Sequence, residues 1–144
     1  MIFRSITLQE ANLFLPILKE HISKIHLLVT EGHVLQERIL GSLAQLDTTG
    51  VPNLSKEAEE ARERLKQIEL KIRDEMMGIQ QYGALVKSIF PARIDFRAER
   101  HQQPVFLCWE GGEDEIRHWH PVDESFLTRR GIENPEEFGS TVVH

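Results

Sequence analysis

The sequence predicts an α+β fold: a long antiparallel helical hairpin followed by a small three-stranded antiparallel β-meander. Three observations predict it. Apolar residues recur at helical spacing over residues 8–46 and again over 55–82. Between these stretches, Asp47-Thr48-Thr49-Gly50-Val51-Pro52-Asn53 carries the chemistry of a turn. Beyond Gly83 the apolar period shortens to two. With 144 residues, of which 40% are hydrophobic and 28% charged, the chain reads as one folded domain over 1–144.

Helix 1 opens on Thr7-Leu8-Gln9-Glu10, a capping box in which Thr7 accepts from the third helical N–H and Glu10 reaches back. One apolar row is Ala11, Leu18, Ile25, Gly32, Ile39 and Leu46; a second is Leu15, Ile22, Val29, Gln36 and Leu43. Together they form a coiled-coil seam of period 3.5 along a helix of about 60 Å. Phe14, Leu28 and Leu35 flank it. Gly32 and Gln36 interrupt the seam, which leaves the continuity of the helix through Gly32 open. Helix 2 is capped by Ser55 or Asn53 and carries Ala58, Ala61, Leu65, Ile68, Ile72, Met76 and Ile79 on one stripe. Its charged residues read as a solvated face, with Glu60–Arg64 and Glu69–Arg73 as i,i+4 pairs. Gly83 suits the position just past its end.

The meander is placed at 93–120. Ile94, Phe96 and Ala98 alternate with Asp95, Arg97 and Glu99; Pro104 to Trp109 is β-prone; Glu110-Gly111-Gly112-Glu113-Asp114 is a turn; Ile116 to His120 returns. Residues 122–131 hold a short helical turn, and 133–144 form a tail with little apolar content beyond Phe138, Val142 and Val143, expected to be mobile.

Composition removes several functions. Lys plus Arg number 17 against 23 Asp plus Glu, a net charge of −6, which argues against a nucleic-acid partner. One cysteine permits neither an internal disulfide nor a four-cysteine zinc site. Met1-Ile2-Phe3-Arg4-Ser5 does not begin a signal peptide and no apolar run approaches a membrane span, so the expectation is a cytoplasmic protein with no membrane partner. Phosphate-loop, dinucleotide and nucleophile-elbow motifs are missing from the sequence. Helix 1 has more apolar width than one neighbouring helix covers, with Leu13, Ile17 and Leu40 adding to the flanking row. The expected partner is a second copy, the two hairpins forming a four-helix bundle.

Chemistry concentrates on the meander. His118-Trp119-His120 puts two imidazoles on one side of a strand. A four-residue loop would place Leu107 and Trp109 with them. A loop of three or five residues would place Cys108 there instead. In that register His118, His120 and Cys108 are candidate ligands for a divalent transition metal. Cys108 otherwise reads as a core thiol, and Trp109 and Trp119 as packing residues.

Leu107-Cys108-Trp109, Gly112-Glu113, Ile116 and Trp119-His120 make an L-C-W-x-x-G-E-x-x-I-x-x-W-H element. It resembles the signature of a bacterial family catalogued as domain of unknown function 2203. Phe3-Arg4 with Thr7-Leu8-Glu10-Ala11-Asn12 and Leu15-Pro16 is similar to that family's opening, and Ile94-Asp95-Phe96 and Asp123, Phe126 and Arg129 to later elements. Ala92-Arg93 and Ser125 depart from the pattern, where Gly-Leu and Gly are expected. The resemblance implies no activity. It groups Asp95, Cys108, Trp109, Glu113, Trp119, His120, Asp123 and Arg129 as one candidate patch. The expected function is a non-enzymatic binding or assembly protein that self-associates through its hairpin and holds a ligand or protein partner on the patch. The alternative is a metal-dependent hydrolase or lyase, a His/Cys/carboxylate set holding an ion that activates water.

Overall fold

The computed structural model describes residues 5–44 and 55–139; the turn expected at 47–53, Leu46, and Val142 and Val143 lie outside them. The described chain divides into two compact units, one made of the residues up to Ile22 with those from Met76 onward, the other of Ser23–Glu75.

Helix α1 spans Leu8–Ala44 and runs unbroken through Gly32. Its capping box is formed: Thr7 N–H donates to Glu10 Oε1 at 3.1 Å and Glu10 N–H to Thr7 Oγ1 at 3.1 Å. Ala11, Leu15, Leu18, Ile22 and Ile25 are buried, as their spacing predicts. Beyond Ile25 the first predicted row continues through Gly32 and Ile39, while in the second row Gln36 is exposed and the flanking Leu28 and Leu35 pack in the core instead. The reason is a change of neighbour. Before Ile22 the helix meets the loop around Ile116, with Asn12 Oδ1 accepting from Ile116 N–H at 2.8 Å. In the second unit it meets α2.

Helix α2 spans Lys56–Gln80, and Ser55 Oγ caps it by accepting from Ala58 N–H. In the Ser23–Glu75 unit, Leu35, Ala61 and Ile68 make a small core with Leu28, Ile39, Leu65 and Ile72 around it. Arg64 reaches across to Glu31 with two bonds of 3.0 and 3.2 Å, in place of the expected pair with Glu60. A fork-to-carboxylate pair outcompetes a single contact along one helix. Glu31 is held below the usual carboxylate range by that hydrogen bond.

Among the described residues five strands, not three, form one antiparallel sheet in the order β1-β2-β3-β4-β5: Ala84–Ile89, Ala92–Arg100, Gln103–Glu110, His118–Pro121 and Arg130–Gly131. Strand β1 escaped the period-two reading because a bulge between Val86 and Ser88 breaks its alternation. Strand β5 is two exposed residues with no apolar pattern to read. The third predicted strand begins at His118, since Ile116 belongs to the loop before β4. The expected turn in 122–131 is a 3₁₀ turn over Phe126–Thr128. Up to Gly139 the tail holds a 3₁₀ turn over Pro135–Phe138 with contacts to the sheet. Phe138 is 2% exposed and packs on Trp119, and Arg100 bonds Glu137 at 2.8 Å. One buried aromatic ring outweighs the low apolar content around it.

Candidate functional site

Directly opposed residues of an antiparallel pair share a face. Asp95 stands opposite Cys108, Cys108 opposite His118, and Phe106 opposite His120. Arg93, Asp95, Phe106, Cys108, His118 and His120 therefore lie on one side of the sheet. Ile94, Phe96, Leu107, Trp109 and Trp119 line the other, where they are buried in the core. Of the registers the sequence left open, this is the one that joins Cys108 to the histidines.

The chain after β4 folds over the polar face. The Arg93 and Arg129 guanidinium carbons lie 3.9 and 4.3 Å from the centroid of the Phe126 ring. Beneath this cover, Asp95, Cys108 and His120 are 4%, 0% and 3% exposed.

His120 is committed at both ring nitrogens. Nδ1 lies 2.9 Å from the Pro121 carbonyl and Nε2 lies 3.1 Å from Asp95 Oδ2. A carbonyl only accepts, so Nδ1 carries a proton. Burial, and then the negative charge and hydrogen bonding of Asp95, push the Cys108 thiol up to about 12 against a partial counter-effect of Arg129. Cys108 is thus a neutral thiol.

Arg129 Nη1 bonds Glu113 Oε1 at 3.0 Å, and Glu110 N–H bonds the same oxygen at 2.7 Å. Burial is the largest single influence on Arg129 and works against its charge, but the hydrogen bond and charge of Glu113, with the contribution of Cys108, together outweigh it and the pKa rises. His118 Nδ1 sits 3.2 Å from Glu113 Oε2, at ion-pair separation but not aligned for a hydrogen bond. Asp95, Cys108 and His120 place one donor atom each within 4.8 Å of one another, all buried; His118 stands outside this set.

The remaining members of the expected patch sit elsewhere. Trp109 and Trp119 face the core; Trp109 Nε1 donates to the Glu113 carbonyl at 2.9 Å, and Arg100 and Arg130 lie over Trp119. Asp123 is exposed and lines a different hollow, beside Arg100 and Trp119.

A cavity of about 300 Å³ opens over the His120–Asp95 pair, lined also by Lys87, Ser88, Arg93, Phe106, Ser125 and Phe126. The sequence reading missed Lys87, Ser88 and Arg93 as site residues. Arg93 was legible, since Arg93, Asp95 and Arg97 alternate on one strand face. Lys87 and Ser88 were not, because only the β1 bulge turns two successive residues towards the same cavity.

Residues 4–132 match the family described as an uncharacterised conserved protein, DUF2203. The chain belongs to DUF2203. The L-C-W…W-H element of this DUF2203 protein divides between the two faces: its tryptophans serve the core, its Cys108 and His120 the polar cluster. No curated protein and no solved structure matches the chain. No helix among the described residues is long and apolar enough to cross a membrane.

Proposed function

We propose that this protein is a non-enzymatic binding protein, holding a small ligand in the cavity over the polar face of its sheet and self-associating through its helical hairpin. The observation that carries the reading is a cavity floored by a buried His120–Asp95 pair whose two members satisfy one another. His120 is bonded at both nitrogens and Asp95 is bonded to it; outside the lining, the Cys108 thiol is protonated and Arg129 is tied to Glu113. Such a floor offers shape and polarity without a free base or nucleophile. Self-association is supported by Leu27 and Val34, seven residues apart on α1 and 72% and 50% exposed.

The test is ligand-observed NMR with a mixed set of small anionic, neutral and cationic aromatics. Binding to the wild type and its loss in Ser125→Trp, which would fill the cavity, is the expected result. Absence of any binder, or binders indifferent to Ser125→Trp, would overturn the reading.

A second reading is favoured by the three converging donors of Asp95, Cys108 and His120. A divalent transition metal there would displace the thiol proton and supply a Lewis acid for hydrolysis. Elemental analysis of untagged wild type beside His120→Ala decides it: near-stoichiometric metal, lost in the variant, would replace the first reading.

A further inference from the structure

The cavity holds an imbalance of charge. Two acids line it, and both are committed: Asp95 to His120, and Glu124 to Arg130 at 3.1 Å. Two cations line it, and neither has a counter-charge among the described residues. Lys87 Nζ lies 5.6 Å from the Phe106 ring centroid, and Arg93 stacks on Phe126. The Arg93 Nε is buried and has no hydrogen-bond acceptor. A buried donor of this kind forgoes its hydration with nothing in return, and a charged one forgoes more. The two aromatic rings that carry the cations also wall the cavity, so an apolar body has a surface to rest on.

We propose that the cavity binds a small aromatic or branched oxyanion, its carboxylate or phosphate against Arg93 and Lys87 and its apolar body against Phe106 and Phe126. The inference rests on the reading of this cavity as the ligand pocket and adds the charge class of the ligand. The planar guanidinium suits either oxyanion, since both present two oxygens to its fork. Ser88 and Ser125 place hydroxyls on the same lining. A volume of about 300 Å³ suits a molecule of single-ring size.

The test is calorimetric and NMR titration with four single-ring probes: phenyl phosphate, benzoate, benzamide and benzylamine. The expected result is saturable binding of phenyl phosphate or benzoate, weakening with salt. Affinity should fall ten-fold or more in Arg93→Gln and several-fold in Lys87→Gln, and hold in Arg117→Gln on the β3–β4 loop. The Lys87 variant guards against loss of packing in the Arg93 variant, because Lys87 meets the Phe106 ring at a longer range. Whether phosphate or carboxylate binds more tightly assigns the headgroup. Binding of benzamide or benzylamine alone would overturn the charge class and leave the pocket standing. Equal losses in Arg93→Gln and Arg117→Gln would overturn the site as a general charge effect. No binding of any probe would overturn both the pocket and its charge class.

Discussion

Cys108 carries a pH dependence that can be worked out in sign. Its folded pKa is raised to about 12, whereas an unfolded thiol titrates near 8.5. The folded state therefore holds the thiol proton more tightly. Its contribution to stability is full below about pH 8.5 and is lost as pH rises towards 12. The advantage of wild type over Cys108→Ala in urea unfolding should shrink by about 1 kcal/mol per pH unit between pH 9 and 11. A constant difference would place the thiol's folded pKa near its unfolded one. The same shift leaves a thiolate fraction of about 10⁻⁴ at pH 8, so native Cys108 should alkylate about three orders of magnitude more slowly than in the unfolded chain. Beside it, Asp95→Ala should cost about 3–5 kcal/mol, because it leaves His120 buried without its partner. A double-mutant cycle with His120→Ala should show strong coupling, and additive losses would mean the contact is incidental. Asp95, Cys108 and His120 were legible as candidates from residue type and strand position. Their convergence was not, because it depended on a loop length that moves every side chain of β4 to the other face. The tryptophans were grouped with them by motif, yet strand alternation alone separates Cys108 from Trp109 and Trp119 from His120.

At the level of elements, two glycines on the helices make opposite predictions. A Cβ on Gly32 would meet Leu65 Cδ1 at 3.6 Å and Ile68 Cγ2 at 3.9 Å, ordinary contact distances. Gly32→Ala should therefore gain the helix propensity of alanine, about 1 kcal/mol, and raise the melting temperature by a few degrees. A Cβ on Gly78 would fall 2.6 Å from His21 Cε1 and 2.9 Å from its Nε2, so the imidazole would have to move. Gly78→Ala should lose stability despite the same gain in propensity, and a rise in its melting temperature would mean that His21 gives way freely. The helices themselves were legible because burial on one face imposes a period of 3.6 that composition cannot hide. Gly32 looked like a weak point in the sequence and is the place where α1 and α2 side chains approach without obstruction. The strands were less legible for a physical reason. β1 carries a bulge, and β5 is held by backbone pairing to β4, which leaves no trace in side-chain pattern.

At the level of the molecule, the sequence reads as one continuous domain, and within the described chain two compact units have very different cores. Helical periodicity runs through Ile22 and Ser23 without a break, so no local signal marks the boundary. The Ser23–Glu75 unit buries few large side chains, chiefly Ile25, Leu35 and Ile68, while Leu27, Val34, Leu40 and Leu70 stay exposed. At about 1.5–3 kcal/mol per buried large side chain, its core supplies little against the entropy of ordering two helices. The other unit buries Leu15, Leu18, Ile94, Phe96, Leu107, Trp109 and Phe138 among others. Native-state hydrogen exchange should therefore find amides of α2 before residue 75 opening at least about 2 kcal/mol more easily than those of β2 and β3. The proposed self-association through the hairpin would make this difference depend on concentration, because a partner that binds only the closed form protects it by mass action. Raising the protein from about 10 µM to about 1 mM should slow exchange in residues 25–44 and 56–75 and leave β2 and β3 unchanged. Leu27→Glu with Val34→Glu should abolish that slowing, and light scattering should then give the monomer mass at every concentration. Exchange in the hairpin that is indifferent to concentration would mean that its exposed leucines are solvated and that a second copy does not cover them.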